Sequence, residues 1–325
     1  MSRRGSYGVG ARIGWLEWLP WVAALAVFIA LPQYLPLGAR ILVYILFALS
    51  LDLILGYAGI ITLGHSAFFG LGAYVAGILG AKLGITDPLL QMAAAAAAAA
   101  LLGVVTGTVI LRTRGLTLLM LTLAITTILL EVANKATGLT GGADGLSGIV
   151  VAPIFGQFRF DMFGKTAYLY CLLALFAGWW VTRRIVYSPF GTSLVGIREN
   201  AVRMHAVGAP VYFRLVAVYT ISATMAGCAG ALLTQTNQFV GLNVLSFEFA
   251  GELLVMLVLG GVGRIYGAFA GPLVYMIAQD QLAKQFPEYW YFGIGLLLVA
   301  VVMFARGGLL GILDLAVSRM RRASP

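Results

Sequence analysis

The sequence predicts an all-α polytopic membrane protein of about ten transmembrane segments, one or two of them broken, with both termini cytoplasmic. Three observations predict it. The chain is 61% hydrophobic and 10% charged, with mean hydropathy +0.96, whereas a soluble domain carries about 25% charged residues. Its apolar runs are roughly 17–25 residues long, which suits helices and not the ~10 alternating residues of a barrel strand. Lys and Arg, in net excess of +9, gather on one side of the predicted spans, as cytoplasmic loops do.

The spans are expected at about 18–35, 40–56, 64–82, 88–111, 115–134, 166–183, 214–236, 250–262, 266–284 and 289–305. The N-terminal stretch, with Arg3, Arg4 and Arg12 before an apolar run, has the outline of a signal peptide. Its length and the tryptophans Trp15, Trp18 and Trp21 argue instead for an uncleaved first helix with an aromatic belt. An even number of spans puts Arg3, Arg4, Arg12, Arg112, Arg114, the arginines of 183–214, Arg264 and the stretch Arg306 to Arg322 on one side. Arg40, Lys82, Lys135, Arg159, Lys165 and Lys284 fall singly on the other. The run 250–262 is short for an upright span and reads as a half-helix or a tilted one.

Most of the 41 glycines read as close-packing positions between helices, as at Gly70, Gly72, Gly77 and Gly80. The alanine tract 93–100 is a strong helix former with a thin packing surface. Two glycine clusters differ in kind: Gly56, Gly59 and Gly64 join spans two and three, and Gly260, Gly261, Gly263 and Gly267 join spans eight and nine. Broken backbone at membrane depth is tolerated where it lines a cavity or is buried in protein. The six-residue spacings Gly64–Gly70 and Gly261–Gly267, each followed by a tyrosine (Tyr74, Tyr275), hint at an internal repeat.

Asp52 stands twelve residues beyond Arg40, about 18 Å along a helix. A carboxylate in a span either fixes helix packing or belongs to a pathway, and both readings stay open. Glu131, Asp144, Glu248, Glu252 and Asp280 map to the outer ends of spans, where they form an acidic mouth for an ammonium group or are ordinary solvated charges. The outer loop 135–165 contains seven glycines and reads as a flexible cover, or as a plain linker.

Ser188 to Pro210 is the one long polar island, inside an expected cytoplasmic segment 184–213. Ser188-Pro189 is a helix start, a short helix is expected over Thr192–Glu199, and a second to about Val207 before Gly208 and Pro210. Counted outward from Arg183 to Arg214, the island gathers Arg183, Arg184, Arg198, Arg203 and Arg214 against the single acid Glu199. Two short amphipathic helices make a docking knob, against the alternative of a basic loop that only sets topology.

Enzyme motifs are missing. There is no HExxH or GxSxG motif and no paired cysteines. Gly164-Lys165-Thr166 has Arg159 where a phosphate loop needs glycine, so no ATP site is expected on this chain. Cys171 and Cys228 read as small core residues. His65 and His205 lack metal-ligand spacing, and no metal site is expected. Hydrolysis through His65-Ser66 or Asp52 lacks an assignable base and nucleophile.

The stretches Gly56–Tyr74 (GYAGIITLGHSAFFGLGAY), Gly115–Thr122 (GLTLLMLT), Thr140–Leu146 (TGGADGL), Ser188–Gly208 (SPFGTSLVGIRENAVRMHAVG) and Leu259–Gly271 (LGGVGRIYGAFAG) resemble, in order, the permease family of bacterial branched-chain amino-acid ABC importers, M-type. The resemblance implies an ABC importer permease fold over 1–325 and a location in the bacterial inner membrane. It also implies a heterodimer with an H-type permease, two cytoplasmic ABC ATPases that carry ATP and Mg, and a periplasmic substrate-binding protein. Besides lipid no other partner is implied, and nucleic acid is not one. Phe190, Gly191, Arg198, Glu199, Asn200, Arg203 and His205 match the ATPase-coupling segment, which departs from the family at Thr192 and Gly196 and lacks an EAA triplet at Glu199-Asn200-Ala201. Tyr57, His65 and Thr122 join Asp52, Glu248 and Glu252 as pathway candidates, with Gly141, Gly142 and Asp144 at an outer gate. The implied function is import of branched-chain or related small hydrophobic amino acids. The alternatives are a stand-alone ion-coupled transporter, and the same kind of permease handling urea, amides or aromatic acids.

Overall fold

The computed structural model describes residues 15–113, 115–154, 158, 164–304 and 308–311. Arg3, Arg4, Arg12, Arg114, Arg159, Arg306 and the basic stretch to Arg322 lie outside the described residues. Among those described, the structure is helical, with only two isolated antiparallel bridges, Leu146 with Val240 and Ile154 with Phe158.

A 3-10 turn at Trp15–Trp18 leads into α1 (Leu19–Ala30), and α2 (Leu35–Asp52) ends in a π-turn, Leu53–Tyr57. There follow α3 (His65–Ala81), α4 (Pro88–Ile110), α5 (Leu116–Lys135), α6 (Thr137–Thr140) and α7 (Lys165–Val186). The island forms α8 (Pro189–Glu199) and α9 (Ala201–Ala206). The C-terminal part holds α10 (Val211–Asn237), α11 (Phe247–Gly260), α12 (Gly267–Gln285) and α13 (Trp290–Phe304).

Among the described residues, five helical stretches are long and apolar enough to cross a membrane: Pro32–Tyr57, α4, α5, α7 and α10. Two shorter helices, α1 and α3, are also apolar. The chain is a multi-pass membrane protein. α11 has 14 residues, about 21 Å at the helical rise. It starts earlier than the sequence suggests because Ser246 caps it, accepting from Phe249 N–H at 3.1 Å, and it stops at Gly260 because Gly261 and Gly263 take positive φ of 115° and 78°.

α2 is the inner helix. Every residue from Ile41 to Ile54 is buried, and its neighbours are α7, α10, α11 and α12. α10 lies across α3 and α4 in the most extensive packing of the fold. Glycines bring these backbones together. A Cβ at Gly72 would stand 2.6 Å from Gly227 Cα, and one at Gly103 would stand 2.8 Å from Ala223 Cβ. Apolar helices in lipid gain little from mutual hydrophobic burial, so such close van der Waals contact supplies much of their association. Leu101, Val105 and Val109 of α4 and Leu116, Met120, Ile128 and Val132 of α5 are exposed, a rim fit for lipid or another subunit.

The two ends of the bundle are fastened differently. At one end, Gln235 donates to Pro88 O (2.7 Å) and Gln91 Oε1 (3.1 Å), and Gln91 donates to Ile85 O (2.8 Å). The 135–165 loop lies at this end, and its glycines shape it. Gly141, Gly142, Gly145 and Gly148 all have positive φ, and Leu146 pairs with Val240 through hydrogen bonds of 2.7 and 3.1 Å. The loop through residue 154 is therefore turned onto the bundle, a more defined path than its glycine content suggests. The opposite end carries the island, both glycine clusters and the Arg183–Glu17 ion pair.

Candidate coupling site and translocation residues

The island is built by local capping. Ser188 Oγ accepts from Gly191 N–H at 3.3 Å and opens α8, and Asn200 Oδ1 accepts from Arg203 N–H at 2.9 Å and opens α9. Such caps satisfy N–H groups that a helix start otherwise leaves free. Gly191 is buried against the carbonyls of Ile185 and Val186, so α8 folds back under the end of α7. Ser193, Leu194 and Ile197 bury one face of α8, with Phe190 half-buried. Glu199, Asn200, Arg203 and His205 are exposed, and α9 has no buried residue.

The island's arginines divide. Arg183 is taken by an acid outside the island: Nε donates to Glu17 Oε2 at 2.9 Å and Nη2 to Oε1 at 3.4 Å. Its guanidinium also lies over the Tyr187 ring at 5.1 Å. Arg184 lies over Trp180 at 5.3 Å. Arg198, at the exposed end of α8, lies against the bundle, and its Nη1 donates to Gly56 O.

That contact joins both glycine clusters. Asp52, 2% exposed at the last turn of α2, accepts from Gly263 N–H at 2.6 Å. A Cβ at Gly263 would stand 3.3 Å from both Arg198 Nη1 and Gly56 O. A Cβ at Gly59 would stand 2.5 Å from Arg198 Cγ. Asp52, Gly56, Gly59, Arg198 and Gly263 therefore form one node. Asp52 sits where α2 meets this node, with its Oδ1 turned to the loop between α11 and α12. Tyr57, buried at 5% exposure, closes the π-turn beside it.

His65 and Thr122 hold the same region from the α3 and α5 sides. His65 Nε2 lies 2.8 Å from Ser50 Oγ, whose proton goes to Phe47 O at 2.6 Å. The ring nitrogen is thus the donor. Ser222 Oγ donates to Ser50 O at 2.5 Å, and the imidazole stacks on Phe47. Ser50 and His65 are 0% and 1% exposed, so this serine–histidine pair ties α2, α3 and α10 together and offers no open face to a substrate. Thr122 Oγ1 accepts from Leu63 N–H at 3.4 Å and donates to Leu119 O at 2.9 Å. Gly64 lacks the side chain that would otherwise collide with it, since a Cβ there would be 2.9 Å from Thr122 Cβ.

At the opposite end, Glu248 is exposed in the first turn of α11 and Glu252 is half-buried one turn further. Glu252 lies within electrostatic reach of Arg40. Asp144 is exposed on a 3-10 turn, held by Gly141 and Gly142 and by Thr140, whose hydroxyl donates to Ala133 O and Ala136 O at 2.5 and 2.9 Å. The structure therefore places the sequence candidates in two groups. Asp52, Tyr57, His65, Thr122 and the island lie at one end, and Glu248, Glu252, Gly141, Gly142 and Asp144 lie at the other. Glu17, and the pairing of Gly263 with Asp52, escaped the sequence reading because the partners are remote in the chain. The density of glycines around Gly263 was the only signal available.

No solved structure matches the chain. The high-affinity branched-chain amino acid transport system permease protein LivM of Salmonella typhimurium (strain LT2) is 27% identical over 320 residues, covering 89% of this chain and 74% of the relative. The protein of the same name from Escherichia coli (strain K12) is 28% identical over 295 residues, covering 83% and 68%. A family described as branched-chain amino acid transport system / permease component matches residues 35–302. The match spans all the helices from α2 to α12 and most of α13, and with it both glycine loops and the island; this chain belongs to that permease family, and is of its M type.

Proposed function

We propose that this chain is half of the translocation pathway of an ATP-driven importer of branched-chain or related small hydrophobic amino acids, in a bacterial inner membrane. In this reading α1–α5, α7 and α10–α13 make ten crossings, and the island end with both termini is cytoplasmic. The partners are an H-type permease, two ABC ATPases that bind ATP and Mg, and a periplasmic binding protein. The observation that carries it is the island itself. α9 buries no residue of its own and shows Val202 at 73% exposure, with Val207 at 77% and Phe213 at 73% beside it. A short helix with apolar and basic side chains turned outward is poorly supported without a partner. Exposed Arg203 and His205 add polar contacts for a cytoplasmic groove. Glu199, Asn200 and Phe190 frame that surface, and Gly191 sets its angle to α7.

At the other end, Glu248, Glu252 and Asp144 are placed to meet a docked binding protein or the ammonium group of a released amino acid, with Gly141 and Gly142 shaping the outer turn. Asp52, Tyr57, His65 and Thr122 lie where an inner gate would close. The chain itself carries no catalytic step. A single cysteine at Val202, fitted with a photocrosslinker, tests the assignment. Capture of an ATPase subunit from the cytosolic side is expected. Labelling of that cysteine only from the periplasmic side, or an ATPase-free complex, overturns it.

A further inference from the structure

We infer that Arg198 is a positioning residue that transmits movement of the island to both glycine loops at once, so that the α2–α3 and α11–α12 hairpins move as a unit. The inference rests on the ATPase-coupled reading above and deepens it. Gly56 O belongs to the last carbonyls of a helix end, which lack intrahelical partners and carry the negative end of the helix dipole. Arg198 Nη1 donates to it. The aliphatic part of Arg198 crosses Gly59, where a Cβ would stand 2.5 Å from Cγ and 3.2 Å from Cβ, and Gly59 has φ of 74°. Nη1 also faces Gly263, where a Cβ would stand 3.3 Å away. Asp52 completes the path, its Oδ1 accepting from Gly263 N–H at 2.6 Å.

A displacement of α8 therefore passes to the end of α2 through Gly56, and to the α11–α12 loop through Gly263. Both loops are built from glycines at the points of contact, so backbone and guanidinium meet without an intervening side chain. The planar, multi-donor guanidinium suits this position better than a lysine, which offers a point charge on a flexible stem.

The experiment uses the assembled complex in proteoliposomes and reads solute transported per ATP hydrolysed. Arg198→Gln is expected to lower that ratio by at least about fivefold, the lower end of typical coupling free energies between sites, and Arg198→Lys to restore part of it. An unchanged ratio in Arg198→Gln overturns the inference while leaving the ATPase-coupled reading intact. Absence of any ATP-driven uptake by the unaltered complex overturns that reading, and with it the inference. A second measurement does not depend on the variant folding. Spin labels at Val202→Cys and Val262→Cys, with Cys171 and Cys228 replaced by alanine, report the distance from the island to the α11–α12 loop. That distance is expected to stay constant between nucleotide-free and ATP-bound complexes when Arg198 is present. A nucleotide-dependent change in that distance, with Arg198 in place, overturns the inference.

Discussion

Gly56→Ala places one methyl group where the node has no room. The added carbon would stand 2.5 Å from Gly263 N and 2.7 Å from Gly263 Cα, and it would also collide with Asp52 Oδ1. Carbon atoms pack at about 3.5–4.0 Å, so the α11–α12 loop must retreat by about 1 Å. A retreat of that size stretches the 2.6 Å Asp52–Gly263 hydrogen bond beyond useful length. A hydrogen bond to a charged group contributes about 1.5–3 kcal/mol, and overpacking alone costs about 1–3 kcal/mol. Alanine recovers up to about 1 kcal/mol of helix propensity over glycine. The net expectation is a loss of about 1.5–5 kcal/mol, confined to the island end. Hydrogen exchange in mild detergent should show residues 261–266 losing protection while α3 and α10 keep theirs. Gly251→Ala is the control, because nothing stands within 4 Å of a Cβ there. If the two variants give the same exchange pattern and the same thermal midpoint, the close approach of the two loops is wrong.

Asp52→Asn keeps an oxygen for Gly263 N–H, whereas Asp52→Leu removes it. Loop protection is expected to survive the first and fall in the second, and equal loss in both would mean that the negative charge, not the hydrogen bond, holds the loop. Glu17→Gln leaves Arg183 without its carboxylate. With side-chain exposures of 13% for Arg183 and 18% for Glu17, the cost lies between exposed and buried pairs, about 1–3 kcal/mol. Proteolysis should then nick the segment before α1 faster, and unchanged cleavage would deny the pair an anchoring role. Gln91→Leu removes both its bond to Ile85 O and its acceptance from Gln235, and a thermal midpoint no lower than that of the unaltered chain would contradict the network at the far end.

The membrane class was legible in the sequence because lipid forces a composition that no soluble core requires. The island was legible because its caps are local: Ser188 to Gly191 and Asn200 to Arg203 are both three residues apart. The first of its helices starts at Pro189, where the Ser188-Pro189 pair marks a helix start, and so takes in the turn before Thr192 as well. The glycine clusters were visible as helix breaks, but their meeting was not. Asp52 and Gly263 are 211 residues apart, and Arg198 and Gly56 are 142 apart. Hydrophobic periodicity carries no record of such pairings. Arg183 looked like one more charge on the knob, and its ion pair with Glu17 instead fastens α7 to the start of α1. His65 drew notice as a histidine beside a serine, yet its partner is Ser50, fifteen residues earlier. That bond secures helix packing at a place where an unpaired polar group would be costly.

The most direct measurement is uptake of labelled leucine into proteoliposomes holding this chain with its H-type partner, the two ATPases and the loaded binding protein. Uptake is expected only when ATP and the ATPases are present, with no response to an imposed proton or sodium gradient. Accumulation by this chain alone under an ion gradient, without any ATPase, would contradict the account.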